Sequence, residues 1–404
     1  MILALFTVIY LNQTLHVKVQ LRSKFGKFDK EVRCSDFTGR PSCIQSSAGK
    51  MRRLQLPGML LVIVVEILLG RYCNGFNMDT SRPITRAGPA DSLFGYTVAL
   101  HRQSGDVNVL LVGAPRAETS QPDVERAGAV YRCPVTAEDC SQINFDQSGQ
   151  PVNADGEQVG SKSDQFFGAT LYSSGPDGPV VACAPRKIWS VDRFNSSGAQ
   201  RFLTGTCFVA KNDFNDIVEV SPCEQPDADP SELGITKISY CQAGFSASIS
   251  QDEELLLGAP GSFYWQGQLI SVDMNNLTAS IYSFERSIEH DNFYRGYSVV
   301  RGRFGSNGAY AVSEPRADDF TGRVTIMDEN LMQVAEIYGE WMAEYFGYSM
   351  AVTDVNGDSL DDLIIGAPMF VDPDHLIDRW EVGRVYVYCQ EDSVSMTKVE
   401  RKTV

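Results

Sequence analysis

Five positions in one stretch could hold a hard cation. Asp354-x-Asn356-x-Asp358-x-Leu360-x-Asp362 puts oxygen side chains at positions 1, 3, 5 and 9 of a single loop, and Leu360 at position 7 can add its carbonyl. Calcium takes about six to eight oxygens, and alternate residues of a looped backbone can point inward together. Three carboxylates this close repel one another unless a cation sits among them. An EF-hand is excluded, because its twelfth position needs a bidentate Glu and here holds Ile365. Ser359 also stands where such loops usually carry Gly. The competing reading is an acidic turn without a metal. The flanks, Gly347–Val352 and Asp362–Gly366, read as short strands, so the loop is expected to join a β-hairpin.

Those flanks recur along the chain. Phe94-Gly95 is followed by Val112-Gly113-Ala114-Pro115, and Phe167-Gly168 by Ala182-Cys183-Ala184-Pro185. Gly244-Phe245 is followed by Leu257-Gly258-Ala259-Pro260, Gly296-Tyr297 by Val312-Ser313-Glu314-Pro315, and Phe346-Gly347 by Ile365-Gly366-Ala367-Pro368. A further β-rich piece starts after each Pro, at Gly128, Gly205, Gly267, Gly322 and Gly383. Each unit therefore offers about four short strands with turn residues between them, which predicts the blades of an all-β propeller. No apolar pattern of helical period runs for three turns. The competing architecture is a two-sheet sandwich, which does not account for five recurrences in one order.

The chain has 404 residues, 43% hydrophobic and 10% aromatic, enough for a large globular core. Its formal charge is −16, although residues 1–53 hold ten Lys/Arg against three Asp/Glu. The acidic body argues against nucleic acid, whose phosphates require a positive surface. Residues 51–75 read as a signal peptide, with basic Met51-Arg52-Arg53, apolar Met59–Gly70 and small residues before an expected cleavage at Phe76. Residues 1–50 are expected to be an upstream leader without order, 76–390 an incomplete propeller, and 391–404 a disordered tail. No later stretch reaches the roughly eighteen apolar residues of a membrane helix. The chain as written is expected to enter the secretory pathway without a span of its own.

The repeats with their DxNxD hairpin resemble the N-terminal FG-GAP propeller of integrin alpha chains, from Phe76-Asn77-Met78-Asp79 to about Tyr388. Gly205-Thr206-Cys207-Phe208, Tyr240-Cys241-Gln242-Ala243-Gly244-Phe245-Ser246 and Gly261–Ser271 resemble the RGD-reading class, including the insect position-specific type. The resemblance implies a seven-bladed fold, of which five repeats are present here. It implies three bridges, Cys133–Cys140, Cys183–Cys207 and Cys223–Cys241, although sequence alone allows other pairings. Such bridges persist in an oxidising compartment. Cys34, Cys43 and Cys73 fall in the leader, and Cys389 has no visible partner. Asn195 and Asn276 head glycosylation sequons.

A basic ligand side chain needs carboxylates on a groove floor and gains from an aromatic face. Asp227 and Asp229 lie between Cys223 and Cys241, and Asp291 precedes the fourth repeat. In the RGD-reading relatives, acidic residues matching Asp229 and Asp291 hold the ligand Arg, and an aromatic matching Tyr264 lines the groove. The competing reading is solvated acids in an acidic protein. The loop here is longer than in those relatives, and Pro230 stands where Gly is usual.

The resemblance implies a cell-adhesion receptor subunit, not an enzyme. It would pair with an integrin beta subunit at the cell surface and bind an extracellular-matrix ligand of RGD type in a calcium-dependent way. The beta chain would supply the metal that holds the ligand's Asp. The alternatives are a secreted hydrolase that uses an FG-GAP propeller as accessory domain, and a soluble decoy. Catalysis has no visible residue set: the four His are His16, His101, His290 and His375, and neither GxSxG nor HExxH occurs. Five repeats cannot close a seven-bladed ring, so open edges and a truncated product are expected.

Overall fold

The computed structural model describes residues 4–11, 14–21, 85–135, 139–191, 194–225, 233–250, 253–282, 287–305, 308–371, 381–390 and 396–403. A hairpin, β1 (Ala4–Leu11) and β2 (Thr14–Leu21), comes first. Five four-stranded antiparallel sheets follow. The first is β3 (Thr97–Gln103), β4 (Val107–Ala114), β5 (Ala129–Pro134) and β6 (Ser141–Ile143). The second is interrupted by a small sheet. β7 (Gly160–Ser161) precedes its first two strands, β8 (Thr170–Ser173) and β9 (Val180–Ala184), and pairs with β10 (Ile188–Ser190), itself paired to β11 (Arg201–Leu203). β12 (Thr206–Lys211) and β13 (Asp216–Val220) then complete the second sheet. The third is β14 (Ser246–Ile249), β15 (Glu254–Ala259), β16 (Gln268–Asp273) and β17 (Thr278–Tyr282). The fourth is β18 (Val299–Phe304), β19 (Gly308–Glu314), β20 (Arg323–Met327) and β21 (Gln333–Tyr338). The fifth is β22 (Ser349–Thr353), β23 (Asp362–Ala367), β24 (Arg384–Gln390) and β25 (Met396–Thr403).

The first strands of successive sheets lie side by side, β3 by β8, β8 by β14, β14 by β18 and β18 by β22. This is a β-propeller arrangement of FG-GAP repeats. The core lies in the seams between sheets. Val109, Leu111 and Val130 of the first sheet pack on Ala182 and Phe208 of the second. Val181 and Val209 pack on Leu255, Leu257 and Ile270 of the third. Leu256 and Leu269 meet Tyr310, Val312 and Met327 of the fourth. Phe304, Val324 and Ile326 meet Leu363, Ile365 and Tyr386 of the fifth. Each large apolar side chain buried there contributes roughly 1.5–3 kcal/mol.

The repeat motif is a repeated backbone device. In each four-stranded sheet the repeat Gly donates its N–H across the first two strands: Gly95 to Gly113, Gly168 to Cys183, Gly244 to Gly258, Gly296 to Ser313 and Gly347 to Gly366, all at 3.0–3.2 Å. The residue before it then bonds to the preceding sheet, as Phe167 N–H does to Ala127 and Phe346 N–H to Thr321. The sheets touch so closely that a Cβ on Gly113 would lie 2.0 Å from the Gly168 carbonyl oxygen. Gly168 itself has φ +87°, a conformation that favours glycine. At Gly95 the corresponding Cβ position has nothing within 4 Å among the described residues. Val98 and Leu100 are exposed on that side of the first sheet. Alternation puts them opposite Ala99 and His101, which face the second sheet.

Two expectations need correction. The tail is not without structure: Met396–Thr403 is β25, which pairs with β24. Its polar sequence gave no periodic signal, but its backbone satisfies the outer edge of β24. Residues 1–50 are not wholly without order either, because β1 and β2 pair over eight residues each. Turn-separated runs of β-branched residues there favour a hairpin. Cys389, for which the sequence showed no partner, is disulfide-bonded. The structure also joins Cys133 to Cys140, Cys183 to Cys207, and Cys223 to Cys241. The signal segment 51–75, Cys34, Cys43 and Cys73 lie outside the described residues. No helix among the described residues is long and apolar enough to cross a membrane.

Candidate functional site

Antiparallel order fixes which connections share an end of the sheets. Those between second and third strands, and between one sheet and the next, emerge at one end. The hairpins within strands one–two and three–four emerge at the other. Tyr264 and Asp291 belong to the first end, and the loop 354–361 to the second.

Tyr264 sits in the turn Ser262–Trp265 between β15 and β16. The turn is left-handed, with Phe263 at φ 52°, ψ 59° and Tyr264 at φ 56°, ψ 42°. Trp265 continues it at φ 58°. Non-glycine residues in this conformation cost roughly 1–2 kcal/mol each. They persist where the surroundings hold them, often at functional positions. Here both neighbouring segments do so. Phe263 and Tyr264 donate their N–H groups to the carbonyls of Lys237 and Ile235, both at 2.9 Å. Lys237 and Ile235 lie within the Cys223–Cys241 bridge. The carbonyls of Tyr264 and Trp265 accept from the N–H groups of Asn292 and Tyr294 at 3.0 and 2.9 Å. Three chain segments are thus stitched through one turn. Tyr264 is thereby bonded to Asn292, the neighbour of Asp291; Tyr264 and Asp291 are both half-buried, with Asp291 Oδ1 buried. Asp229 and Asp227 lie outside the described residues. Asn195 and Asn276 are exposed.

The sequence reading missed a group of aromatics near the first strands. Phe245 and Tyr297 have ring centres 4.8 Å apart, Tyr297 and Tyr348 5.2 Å, and Tyr96 and Phe166 5.5 Å. Burial, then the neighbouring Tyr348, pushes the Tyr96 and Tyr297 phenols above their ordinary range. Tyr96 of the first sheet thus comes close to Tyr348 of the fifth. Tyr96 and Tyr348 remain exposed. The signal was available: Tyr96, Phe245, Tyr297 and Tyr348 each directly follow a repeat Gly. Beside them Arg316 lies over the rings of Tyr294 and Phe320, at 4.5 and 4.9 Å.

At the other end, the acidic loop is folded around its own backbone. Asp354 Oδ1 accepts from the N–H groups of Gly357 and Asp358, and Oδ2 from that of Ser359. Asp358 Oδ1 accepts from Leu360 N–H, and the Asn356 amide donates to Asp358 Oδ2. Asp362 is fully buried, and its two oxygens accept from the N–H groups of Val355 and Gln390 at 2.8 and 2.9 Å. Burial pushes the Asp362 carboxyl up, with further upward contributions from Asp358 and Asp354, against the two backbone hydrogen bonds. A bound cation would offset that cost, so donor types and electrostatics fit a hard ion. Among the described residues, however, no group of three His, Cys, Asp or Glu side chains converges as metal ligands.

The FG-GAP repeat family matches residues 346–388, which contain this loop and its flanking strands. Human integrin alpha-8 is 39% identical over 351 residues, covering 81% of this chain and 32% of the relative. Integrin alpha-5 of Xenopus laevis is 35% identical over 373 residues, covering 86% of this chain and 35% of the relative. Integrin alpha-PS2 of Drosophila melanogaster is 36% identical over 365 residues, with 81% and 26% covered. The chain spans about a third of the length of these curated relatives.

Proposed function

We propose, from the premise that this chain carries the FG-GAP propeller region of the integrin alpha family, that it serves as the ligand-reading part of a cell-adhesion receptor subunit. Tyr264 and Asp291 hold a basic side chain of an extracellular-matrix ligand of RGD type, with Asp229 as a further carboxylate. The observation that carries this reading is the lacing of Tyr264 to Ile235 and Asn292, which ties the backbone of an aromatic residue on a strained turn to the neighbour of Asp291. A ring face attracts a guanidinium by roughly 0.5–2 kcal/mol, and a charge-assisted carboxylate contact adds direction.

An integrin beta subunit is the proposed partner. The support is the aromatic group of Tyr96, Phe245, Tyr297 and Tyr348, which offers ring faces to a protruding basic residue. Calcium is the proposed ligand of the loop at the other end, held by Asp354, Asn356, Asp358, the Leu360 carbonyl and Asp362. There it would brace the β22–β23 hairpin and offset the charge that burial disfavours on Asp362.

Co-expression with a beta chain tests the proposal. The complex should be recovered on an RGD-peptide surface, and Asp291→Ala should weaken capture while leaving heterodimer formation unchanged. Equal capture by both forms would remove Asp291 from the site.

A further inference from the structure

The β18–β19 hairpin of the fourth sheet has no carboxylate between Arg301 and Gly308, so it lacks the oxygen donors that the fifth sheet's loop offers a cation. It rests against that loop instead. Arg303 N–H donates to Asp361 Oδ2 at 2.9 Å. Gly305 N–H donates to Gln390 Oε1 at 2.8 Å. Gln390 is buried at the end of β24, and its own N–H donates to Asp362 Oδ1 at 2.9 Å. Two consecutive residues of the loop thus reach the fourth hairpin, Asp361 directly and Asp362 through Gln390. The strands beside them are in steric contact: a Cβ on Gly302 would lie 2.9 Å from Val352 Cγ1, and Phe304 is buried in the same seam. The Arg303 guanidinium adds little, since its side chain is 83% exposed and lies 3.6 Å from Asp361.

Asp361 stands between Leu360 and Asp362, outside the alternating set of oxygen donors, so its carboxylate is left for the seam. We propose that Asp361 and Gln390 are positioning residues that carry the state of the cation loop across the fourth-to-fifth seam, so that one divalent cation orders two hairpins. This inference rests on the reading of the loop as a calcium site. A cation held there fixes the backbone at Leu360 and keeps Asp362 ionised, which strengthens its bond from Gln390 N–H. Gln390 is then held firmly, and Gly305 N–H meets an acceptor that no longer moves. Asp361, between two ligand positions, is held in the same way against Arg303 N–H. Opening of the fourth hairpin must break these bonds, so its local unfolding becomes rarer when the loop is filled. The coupling is reciprocal, and loosening the fourth hairpin must cost cation affinity.

The test titrates calcium into the full chain. Binding is read by calorimetry, and hydrogen exchange of the Arg303 and Gly305 amides by NMR. Saturating calcium should slow exchange of both amides about tenfold or more. Gln390→Leu should abolish the slowing at Gly305 and keep it at Arg303, with calcium bound about threefold or more weakly. Asp361→Ala should abolish the slowing at Arg303 and keep it at Gly305, and it serves alone if the buried substitution does not fold. Arg303→Ala should leave both amides protected, because the bond comes from the backbone. A general loss of packing would speed both amides together and could not give this crossed pattern. Calcium bound with no slowing at either amide, or slowing kept at both amides in Asp361→Ala, would overturn the proposal while leaving the loop as a cation site. No calcium binding in the unmodified chain would overturn both.

Discussion

The Tyr264 carbonyl accepts the N–H of Asn292 at 3.0 Å, so the residue next to Asp291 is tied directly to the turn that carries the aromatic ring. The turn's left-handed backbone could not be held by its own residues, because Phe263, Tyr264 and Trp265 are none of them glycine. It is held by the segments on either side. Geometry at the candidate ligand site therefore depends on the third-to-fourth seam as much as on the residues that would touch a ligand.

The seam contacts make glycines unequal. Gly113→Ala should destabilise the fold by roughly 2–4 kcal/mol, because its Cβ would meet the Gly168 carbonyl at 2.0 Å. Gly95→Ala enters open space at φ +90°, so it should cost only the backbone strain, about 1–2 kcal/mol. Denaturant midpoints of the two variants would compare them. Equal losses would contradict the seam packing described here.

In the fourth repeat the aromatic–alanine pairing of the first, second and fifth is replaced by an ion pair. Where the fifth repeat has Phe346 and Ala367, the fourth has Arg295 and Glu314, both buried and hydrogen-bonded to each other. Arg323 also bonds to Glu314, at 2.5 Å. Glu314→Ala should cost about 3–5 kcal/mol, since it strips the main partner from a buried guanidinium. The double change Arg295→Phe with Glu314→Ala should recover at least half of that loss. A double variant no more stable than the single one would show that the pair is not interchangeable with the apolar form.

Glu344 gives the fold a pH dependence. It is fully buried, and burial raises its carboxyl above the ordinary glutamate range, with Glu340 adding to the rise. Hydrogen bonds from the Tyr386 hydroxyl at 2.7 Å and the Glu340 N–H at 2.6 Å act the other way. Because the folded value is raised, this contribution to stability is complete below the unfolded glutamate range. It is lost as pH rises through the folded value. Melting temperatures from acidic to neutral pH should therefore fall less in Glu344→Gln than in the unmodified chain. Identical pH profiles would remove Glu344 as a cause.

The loop at the opposite end predicts a cation effect. Calcium should raise the melting temperature of the chain, by an amount that grows with its concentration. Asp358→Ala should abolish the increment, as it removes one carboxylate from the set. An increment unchanged in Asp358→Ala would reject the loop as the site.

Much of this architecture could be read from residue types because the repeat is written in backbone requirements. A Gly that needs φ near +87°, as Gly168 does, and a Gly that needs bare space, as Gly113 does, leave a mark wherever they recur. The small sheet of β7, β10 and β11 left none, since its strands have only two or three residues each. β25 is a full-length strand, but its sequence MTKVERKT carries no apolar face to announce it. Tyr264 and Asp291 were legible as residue types. Their strained turn was not, because its conformation is imposed by Ile235, Lys237 and Asn292 from other parts of the chain.

The most direct test is a double-mutant cycle on the chain co-expressed with a beta subunit. Affinity for an RGD peptide would be measured with the ligand's Arg intact or replaced by citrulline, against the unmodified chain and Asp291→Ala. The account predicts that Asp291→Ala lowers affinity for the Arg peptide about tenfold or more and leaves the citrulline peptide nearly unchanged, a coupling of about 1.4 kcal/mol or greater. Equal losses for both peptides, and so no coupling, would contradict it.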